Sequence, residues 1–180
     1  SSAASDVYKR QGPDVAFGVD VPYDRSSASI AVASVRDDGL IHVEVVDRRP
    51  DTDWVMPRIE ELRRKWRPVG IAFDAASQTA DVAASNARVK RKMLPLDGRT
   101  YMQSCGAFFS EVMAGRVRHT GQEDLTLAVE RARRSKGATD LWRWAKEDRA
   151  DDISPLVAVT LAVKALEESE RKKQRKMVIY

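Results

Sequence analysis

The order of the patterned segments is the sequence feature that most constrains the fold. Three short stretches of β-type alternation come first, at Val15–Val21, Ser26–Arg36 and Leu40–Asp47. The turn sequence Asp37–Gly39 separates the second stretch from the third. Strands joined by such tight turns pair with their chain neighbours in an antiparallel meander. The first part of the chain is therefore predicted to form three antiparallel strands.

A change of hydrophobic period then predicts a helix. Within Thr52–Trp66, the residues Val55, Ile59, Leu62 and Trp66 recur at the spacing of one helical face. The elements predicted after it are a strand at Val69–Asp74, a helix at Gln78–Ala87, a strand at Lys92–Leu96, helices at Tyr101–Met113 and Asp124–Arg134, a strand at Leu141–Trp144 and a helix at Ile153–Leu166.

A meander that leads into alternating strands and helices predicts an α/β fold. We expect a mixed central sheet, an antiparallel three-strand meander plus parallel strands, flanked by helices on both faces. A length of 180 residues suits one domain. We expect residues 1–13 to be a disordered leader or cloning artefact, residues 14–168 to form the domain, and residues 169–180 to be a disordered basic tail.

The composition excludes several kinds of site. Cys105 is the one cysteine, so an internal disulfide or cysteine metal cluster is ruled out. We interpret it as a core residue on a helix face shared with Met102, Phe109 and Val112. The two histidines are too few for a histidine-rich zinc site. A net charge of +4 mildly favours an acidic partner such as nucleic acid.

The hydropathy pattern favours a soluble protein. No run of 18 apolar residues and no secretory signal is present in the sequence. We therefore expect an intracellular protein without membrane contact.

Two acidic residues stand in or directly after apolar strands. Asp20 lies within the first strand and Asp74 ends the strand after the first helix. A buried carboxylate is costly unless it is paired, protonated or bound to metal. Acids at the ends of adjacent strands point into one crevice, where they form a hard oxygen site for Mg²⁺ or Mn²⁺. The alternative interpretations are a turn residue ahead of Pro22 for Asp20 and a helix cap for Asp74.

A third acidic position precedes the last apolar helix. Asp151 and Asp152 come immediately before Ile153. A carboxylate there caps the helix through its free amides, which is the alternative to a catalytic role.

The order of these acids, with the segments around them, resembles a known family. Five segments are similar to the ribonuclease H-like nuclease domain of large terminase subunits from tailed phages. They are FGVDVPYDRSSASIAVA, GIAFDAASQTA, DDISPLVAVTLAVKAL, QSCGAFFSEVMAGRVRH and the LTLAVERARR…WRW segment. The resemblance runs from about Val15 to Leu166. It implies a ribonuclease H-like fold and a metal-dependent DNA endonuclease that cuts concatemeric viral DNA during packaging.

The resemblance also implies roles for the acids. Asp20 matches the first metal ligand and Asp74 the second, and Asp152 is our choice for the third, with Asp151 as the alternative. Two ions, Mg²⁺ or Mn²⁺, are implied: one activates a water and the other stabilises the leaving 3′ oxygen. The three carboxylates are then expected to converge in one site.

The chain lacks one part of a complete terminase. It contains no GxxxxGK[ST] phosphate loop, so ATP-driven translocation is not assigned to it. We expect a carboxy-terminal fragment or a separated domain that acts on double-stranded DNA in the cytoplasm of the infected host. The implied protein partners are an ATPase domain, the portal and the small terminase subunit.

Two basic clusters are candidates for DNA contact. The first contains Arg88, Lys90, Arg91 and Lys92, and the second contains Arg131, Arg133, Arg134 and Lys136. Either cluster can bind phosphates without reading the base sequence, and either is equally explained as a solvated helix face.

Trp142 and Trp144 can stack on bases, although core packing is the simpler interpretation.

Three other functions remain open. The chain can be a non-catalytic DNA-binding domain, a docking module for the portal or small subunit, or a related resolvase-type nuclease.

Overall fold

The structure is a computed structural model that describes residues 14–178. Its elements are β1 (Val15–Asp20), β2 (Ser27–Val35), β3 (Ile41–Pro50), α1 (Val55–Trp66), β4 (Gly70–Asp74), α2 (Gln78–Ala84), α3 (Ala87–Lys90), β5 (Leu94–Leu96), α4 (Gly98–Met113), β6 (Val117–Arg118), α5 (Glu123–Arg131), β7 (Ala132–Lys136), β8 (Trp142–Lys146) and α6 (Ser154–Val178). The predicted leader, residues 1–13, and residues 179–180 of the predicted tail lie outside the described residues.

A six-stranded mixed sheet forms the centre of the fold, in the order β5-β4-β1-β2-β3-β6. The pairs β1–β2 and β2–β3 are antiparallel, whereas β4 is parallel to both β1 and β5. The short strand β6 adds to β3 in parallel, and β7 and β8 form a separate antiparallel hairpin. The predicted antiparallel meander with added parallel strands is confirmed.

Helices cover both faces of the sheet. One apolar core joins α4, α5 and α6 to one face, and a second joins α1, α2 and α3 to the other. Within residues 14–178, no helix combines the length and apolar character needed to cross a bilayer.

The closest contact between the layers is made by α6 on β1. A Cβ built on Gly18 would lie 2.0 Å from the carbonyl oxygen of Ala158 and 2.4 Å from the amide nitrogen of Ala162. Only glycine allows the helix backbone to come this near the strand. The position of α6 relative to β1 is therefore set by direct backbone contact.

The prediction of a disordered tail was wrong for the part of the tail that the structure describes. Helix α6 continues through residues 169–178 to Val178. Charges four residues apart pair along it, as in the salt bridges Lys164–Glu168 at 2.9 Å and Arg171–Glu167 at 2.5 Å. Such pairs support a helix that has little apolar surface to bury.

The predicted apolar face of α4 was also partly wrong. Its buried residues are Tyr101, Ser104, Cys105 and Phe108, while Val112 is exposed. The buried core position of Cys105 is confirmed. The face was misplaced because Tyr101, Cys105 and Phe108 also recur at helical spacing, and the sequence alone does not show which of the two overlapping stripes faces the core.

The predicted helix Asp124–Arg134 ends three residues early. Helix α5 stops at Arg131, and β7 begins at Ala132, paired with Lys146. The Arg131 carbonyl already accepts a hydrogen bond from the Glu147 amide at 3.0 Å. Pairing with β8 therefore takes over the backbone groups that a longer helix would use.

Candidate active site

Two acidic side chains meet at one edge of the sheet. Strands β1 and β4 are parallel neighbours, with Gly18 opposite Ala72, so their last residues, Asp20 and Asp74, lie side by side. Both carboxylates line one cleft of about 300 Å³ and are 8% and 7% exposed. The expectation that strand-end acids share a crevice is met for this pair.

Asp20 is the more strained of the two. Burial, followed by the nearby negative charges of Asp152 and Asp74, raises its pKa from 3.8 to about 8, against a lowering by Lys146 and by the Val21 amide. The Val21 amide of the turn that follows donates to Thr79 Oγ1 at 2.9 Å and also lowers the pKa of the Asp20 carboxyl. This one turn amide does not offset the burial of Asp20, so a turn role alone does not explain the raised pKa.

Asp74 makes a local turn and leaves one oxygen available. Its Oδ1 accepts a hydrogen bond from the Ala76 amide at 2.9 Å. The cap of α2 is Ser77, whose Oγ accepts from the Thr79 amide at 3.2 Å, so Asp74 is not the capping residue. Among residues 14–178, Oδ2 of Asp74 accepts no hydrogen bond.

Asp152 lies close to this pair but is engaged elsewhere. Its Oδ1 accepts from the Ser154 amide at 2.9 Å, at the start of α6. Its Oδ2 accepts from Ser27 Oγ at 2.8 Å and from Arg48 Nε at 2.9 Å. Burial alone would raise the pKa of Asp152, but these hydrogen bonds hold it below its ordinary value. The predicted helix-terminal interaction exists, in addition to any catalytic role.

Asp151 faces a different partner. Its Oδ1 lies 3.5 Å from Arg131 Nε, and its Oδ2 accepts from the Asp148 amide at 2.9 Å. Neither Asp151 nor Asp152 is among the residues that line the cleft shared by Asp20 and Asp74.

The expected convergence of three acids is only partial. Within residues 14–178, no three Asp, Glu, His or Cys side chains form a group that encloses one metal ion. The physical reason is that both oxygens of Asp152 are held by Ser154, Ser27 and Arg48. Asp20 and Asp74 nevertheless fit a divalent cation, because they are buried, mutually repelling carboxylates of the hard oxygen type that Mg²⁺ and Mn²⁺ prefer.

Two basic residues of the first cluster, Arg88 and Lys90, lie on α3 and have partners, whereas Arg91 and Lys92 follow the helix and are exposed. Arg88 forms a salt bridge with Glu60, and Lys90 donates to the Ala80 carbonyl at 3.1 Å. Helix α3 packs on the face of the sheet that α1 covers.

The second cluster is divided between α5 and the hairpin β7–β8. Arg131 pairs with Asp151 and Arg133 with Glu147. The Arg134 guanidinium lies over the ring of Phe109, 4.9 Å from its centroid. Lys136 is exposed at the end of β7.

The two tryptophans of β8 pack against the core. Trp144 Nε1 donates to Thr160 Oγ1 at 3.1 Å, and the Trp142 and Trp144 ring centroids are 4.8 Å apart. Their role as a base-stacking surface is not supported by these contacts.

Sequence reasoning missed three residues at the site. Tyr101 and Lys146 line the cleft, and Arg48 holds Asp152. The Tyr101 pKa is raised by burial, by Cys105 and by Asp20. One signal for Lys146 was available, because it stands two residues after Trp144 on the same strand face.

A second cavity lies on the α4–α5 side of the molecule. It has a volume of about 730 Å³, and its lining includes Phe109, Val112, Met113 and Val129. The last three of these side chains are exposed. Exposed apolar side chains are thus grouped along this cavity.

Comparison with solved structures identifies proteins of the same fold. The HK97 bacteriophage large terminase superposes with a TM-score of 0.68 at 18% identity, covering 92% of this chain and 43% of that chain. The large terminase nuclease from thermophilic phage G20c gives a TM-score of 0.65 at 12% identity, with 84% and 82% coverage. The same nuclease with bound magnesium gives 0.64 at 12%, with 86% and 82% coverage.

These similarities are similarities of fold. Neither a protein-family model nor a curated protein sequence matches the chain. This chain spans less than half of the HK97 terminase chain and most of the G20c nuclease. The predicted resemblance to the nuclease domain of large terminases is confirmed at the level of fold.

Proposed function

We propose that this chain is a divalent-metal-dependent DNA endonuclease that cuts concatemeric viral DNA during genome packaging. The observation that carries the proposal is the pair of buried carboxylates, Asp20 and Asp74, at the carboxyl ends of two adjacent parallel strands. A nuclease of the same fold has been solved with magnesium bound and also with cobalt bound.

Asp20 and Asp74 are the residues proposed to hold the metal. Burial and the negative charges of Asp152 and Asp74 disfavour the ionised form of Asp20, so a bound cation would relieve an existing electrostatic cost. Two Mg²⁺ or Mn²⁺ ions would supply an activated water and charge stabilisation at the leaving 3′ oxygen. Both carboxylates are fixed by strand backbone, which orients their oxygens before any ligand arrives.

Asp152 remains our proposal for the third ligand. Its charge already raises the pKa of Asp20, so it lies within electrostatic reach of the pair. To ligate, its Oδ2 must exchange Ser27 and Arg48 for the cation. Asp151 is the weaker alternative because its carboxylate lies against Arg131, whereas Asp152 is the charged neighbour that most raises the pKa of Asp20.

DNA contact is proposed for the basic residues identified in the sequence. The best supported are those of the hairpin region, Arg131, Arg133, Arg134 and Lys136, because β8 carries Arg143 and Lys146 into the lining of the cleft. Arg88 and Lys90 are less well placed, since their helix packs on the opposite face of the sheet from the hairpin.

The proposed protein partners are an ATPase domain, the portal and the small terminase subunit. The apolar groove with exposed Val112, Met113 and Val129 supports a protein contact on the α4–α5 side. We place the activity in the cytoplasm of the infected bacterial host.

The deciding experiment is cleavage of supercoiled plasmid with Mn²⁺, Mg²⁺ or EDTA. We expect nicking by the wild type with either metal, no nicking in EDTA, and loss of nicking in Asp74→Ala. Asp37→Ala is the matched control, because it removes the same group from an exposed turn at the opposite end of the sheet. Circular dichroism must show that each variant is folded.

The alternatives give different results. Equal cutting by wild type and Asp74→Ala would contradict the assigned site. A gel shift of DNA by the wild type without cutting in any metal would favour the non-catalytic DNA-binding domain. A resolvase-type nuclease would prefer branched DNA over the plasmid.

A further inference from the structure

The hairpin β7–β8 packs one of its faces onto the body of the protein. Side chains alternate along a strand, so Trp142, Trp144 and Lys146 share one face of β8. Trp144 is anchored to α6 by its hydrogen bond to Thr160, and Trp142 is packed against Phe109 with ring centroids 5.9 Å apart. The two tryptophans therefore fix the strand backbone that carries Lys146.

Lys146 continues this inward face to the acid cleft. Its side chain is half-buried and lines the cleft together with Asp20 and Asp74. The backbone at Lys146 pairs with Ala132, and the next amide, Glu147, donates to the Arg131 carbonyl at 3.0 Å. A lysine on an otherwise aromatic face is thus positioned by the hairpin beside two buried carboxylates.

The ammonium of Lys146 is not consumed by an ion pair. Its Nζ lies 3.4 Å from the Arg149 carbonyl oxygen, and within residues 14–178 it forms no salt bridge. Its positive charge nevertheless acts on the site, since it lowers the pKa of both Asp20 and Asp24.

Three arginines near the cleft differ from Lys146 because they form salt bridges. Arg48 is paired with Asp152, Arg131 with Asp151 and Arg133 with Glu147. Arg143 also lines the cleft, but it is an exposed residue on the outward face of β8. Lys146 is therefore the half-buried cation that a ligand of the cleft can recruit without breaking a salt bridge.

We propose that the Lys146 ammonium binds a nonbridging oxygen of the DNA phosphate that lies against Asp20 and Asp74. The inference rests on the proposed nuclease function and names the group that holds the reacting phosphate. Two carboxylates repel a phosphodiester, so a cation beside them lowers the cost of bringing the anion in. An ammonium is a compact charge with three donors, which suits contact with a single phosphate oxygen.

Binding of a labelled DNA duplex at several salt concentrations tests the contact directly, with Ca²⁺ replacing Mn²⁺ to slow hydrolysis. Loss of one phosphate contact lowers affinity and reduces the slope of log affinity against log salt by about 1. We expect this change in Lys146→Ala. Lys65→Ala removes the same charge from an exposed position on α1, across the sheet, and should leave the slope unchanged.

Cleavage and metal binding complete the test. At saturating duplex, Lys146→Ala should cut at least about 10-fold more slowly than the wild type, and Lys146→Arg should recover part of the loss. Calorimetric titration of Mn²⁺ into the DNA-free protein should show no loss of affinity in Lys146→Ala, because Lys146 is not a ligand.

The outcomes separate this inference from the proposed function. A wild type that binds but never cuts, with the slope reduced in Lys146→Ala, would reject the nuclease and keep the phosphate contact. A wild type that cuts, with Lys146→Ala equal to it in slope and rate, would reject the contact alone. Loss of Mn²⁺ affinity in Lys146→Ala would also reject it, because the residue would then act through the metal site.

Discussion

The pKa values of Asp20 and Asp152, beside the two walls of the acid cleft, are shifted in opposite directions. The strand wall buries Asp20 and Asp74, and burial together with the neighbouring acids raises the pKa of Asp20 to about 8. The helix wall is formed at the start of α6, where Ser154 lines the cleft. Asp152, two residues earlier, does not line the cleft, and the donors around its carboxylate lower its pKa. Burial is shared by the two walls, so hydrogen bonding makes the difference.

The contrast between the two walls distinguishes the acid that stabilises the fold from the acids proposed to bind metal. On the helix wall the negative charge stabilises the fold, because Ser27, Arg48 and the Ser154 amide all donate to it. On the strand wall the ionised form of Asp20 opposes folding unless a cation is bound, so without metal the folded protein keeps this carboxyl protonated up to about pH 8. A site that must attract a metal ion is expected to carry such uncompensated charge.

The largest expected effect comes from neutralising the strand wall. Asp20→Asn should lower Mn²⁺-dependent plasmid cleavage by more than about 100-fold, because it removes a charged ligand and not merely its supporting hydrogen bond. Thermal denaturation should show a metal-free melting temperature at pH 8 equal to or above that of the wild type. A clear loss of stability would contradict the contrast between the walls.

Neutralising the helix wall should instead destabilise the protein. Asp152→Ala removes the acceptor of three donors and should lower the free energy of unfolding by about 2–3 kcal/mol, measured by urea denaturation without metal. Asp124→Ala is the control, since Asp124 is an exposed acid that contacts the same Arg48 at 3.4 Å. Equal losses in the two variants would assign the effect to Arg48 and not to the cleft.

The pH dependence of stability sharpens the comparison further. The Asp20 pKa is raised in the folded state, so between about 4 and 8 folding retains a proton that the unfolded chain releases. The contribution is present in full below the unfolded pKa and is lost as the pH rises through about 8. Metal-free wild type should therefore lose at least roughly 3 °C in melting temperature relative to Asp20→Asn between pH 5 and pH 9.

Added metal provides a check on this pH-dependent difference in melting temperature between the wild type and Asp20→Asn. Saturating Mn²⁺ should reduce the gap at pH 9 by stabilising the wild type and not Asp20→Asn. An unchanged gap would mean that the cation does not bind at Asp20.

The smallest effect is expected for the cation on the helix wall. The Arg48 side chain is 37% exposed, so Arg48→Ala should cost no more than about 1 kcal/mol in urea denaturation. The same variant frees Asp152 Oδ2 from the guanidinium, so half-maximal cleavage should require less Mn²⁺. A higher Mn²⁺ requirement would argue that Arg48 orients Asp152 for metal binding.

Much of the fold followed from local patterns. The alternation in β1 to β3 and the period of α1 depend on neighbouring residues, and they predicted the meander and the first helix. The strand β7 was missed because Arg133, Arg134 and Lys136 show no apolar alternation, and pairing with β8 makes it a strand. The helical extension of α6 was missed because its charges resemble those of a disordered segment.

The site was predictable only in part, for a similar reason. Asp20 and Asp74 stood out because an acid that ends an apolar strand conflicts with burial. The partners of Asp152 could not be read in this way, because Arg48 lies 104 positions away and Ser27 lies 125 positions away. Such contacts come from packing of α6 against the sheet.

The glycine contact between β1 and α6 determines how a mutation at Gly18 would affect the acids of the cleft. Asp20 follows Gly18 by two residues on β1, and Asp152 precedes Ala158 by six residues on the other side of the contact. The distance between the strand wall and the helix wall of the cleft is thus set by one backbone contact in the middle of the core. A mutation at Gly18 would change no charged group, yet it would separate the acids and appear in a genetic screen as a catalytic defect.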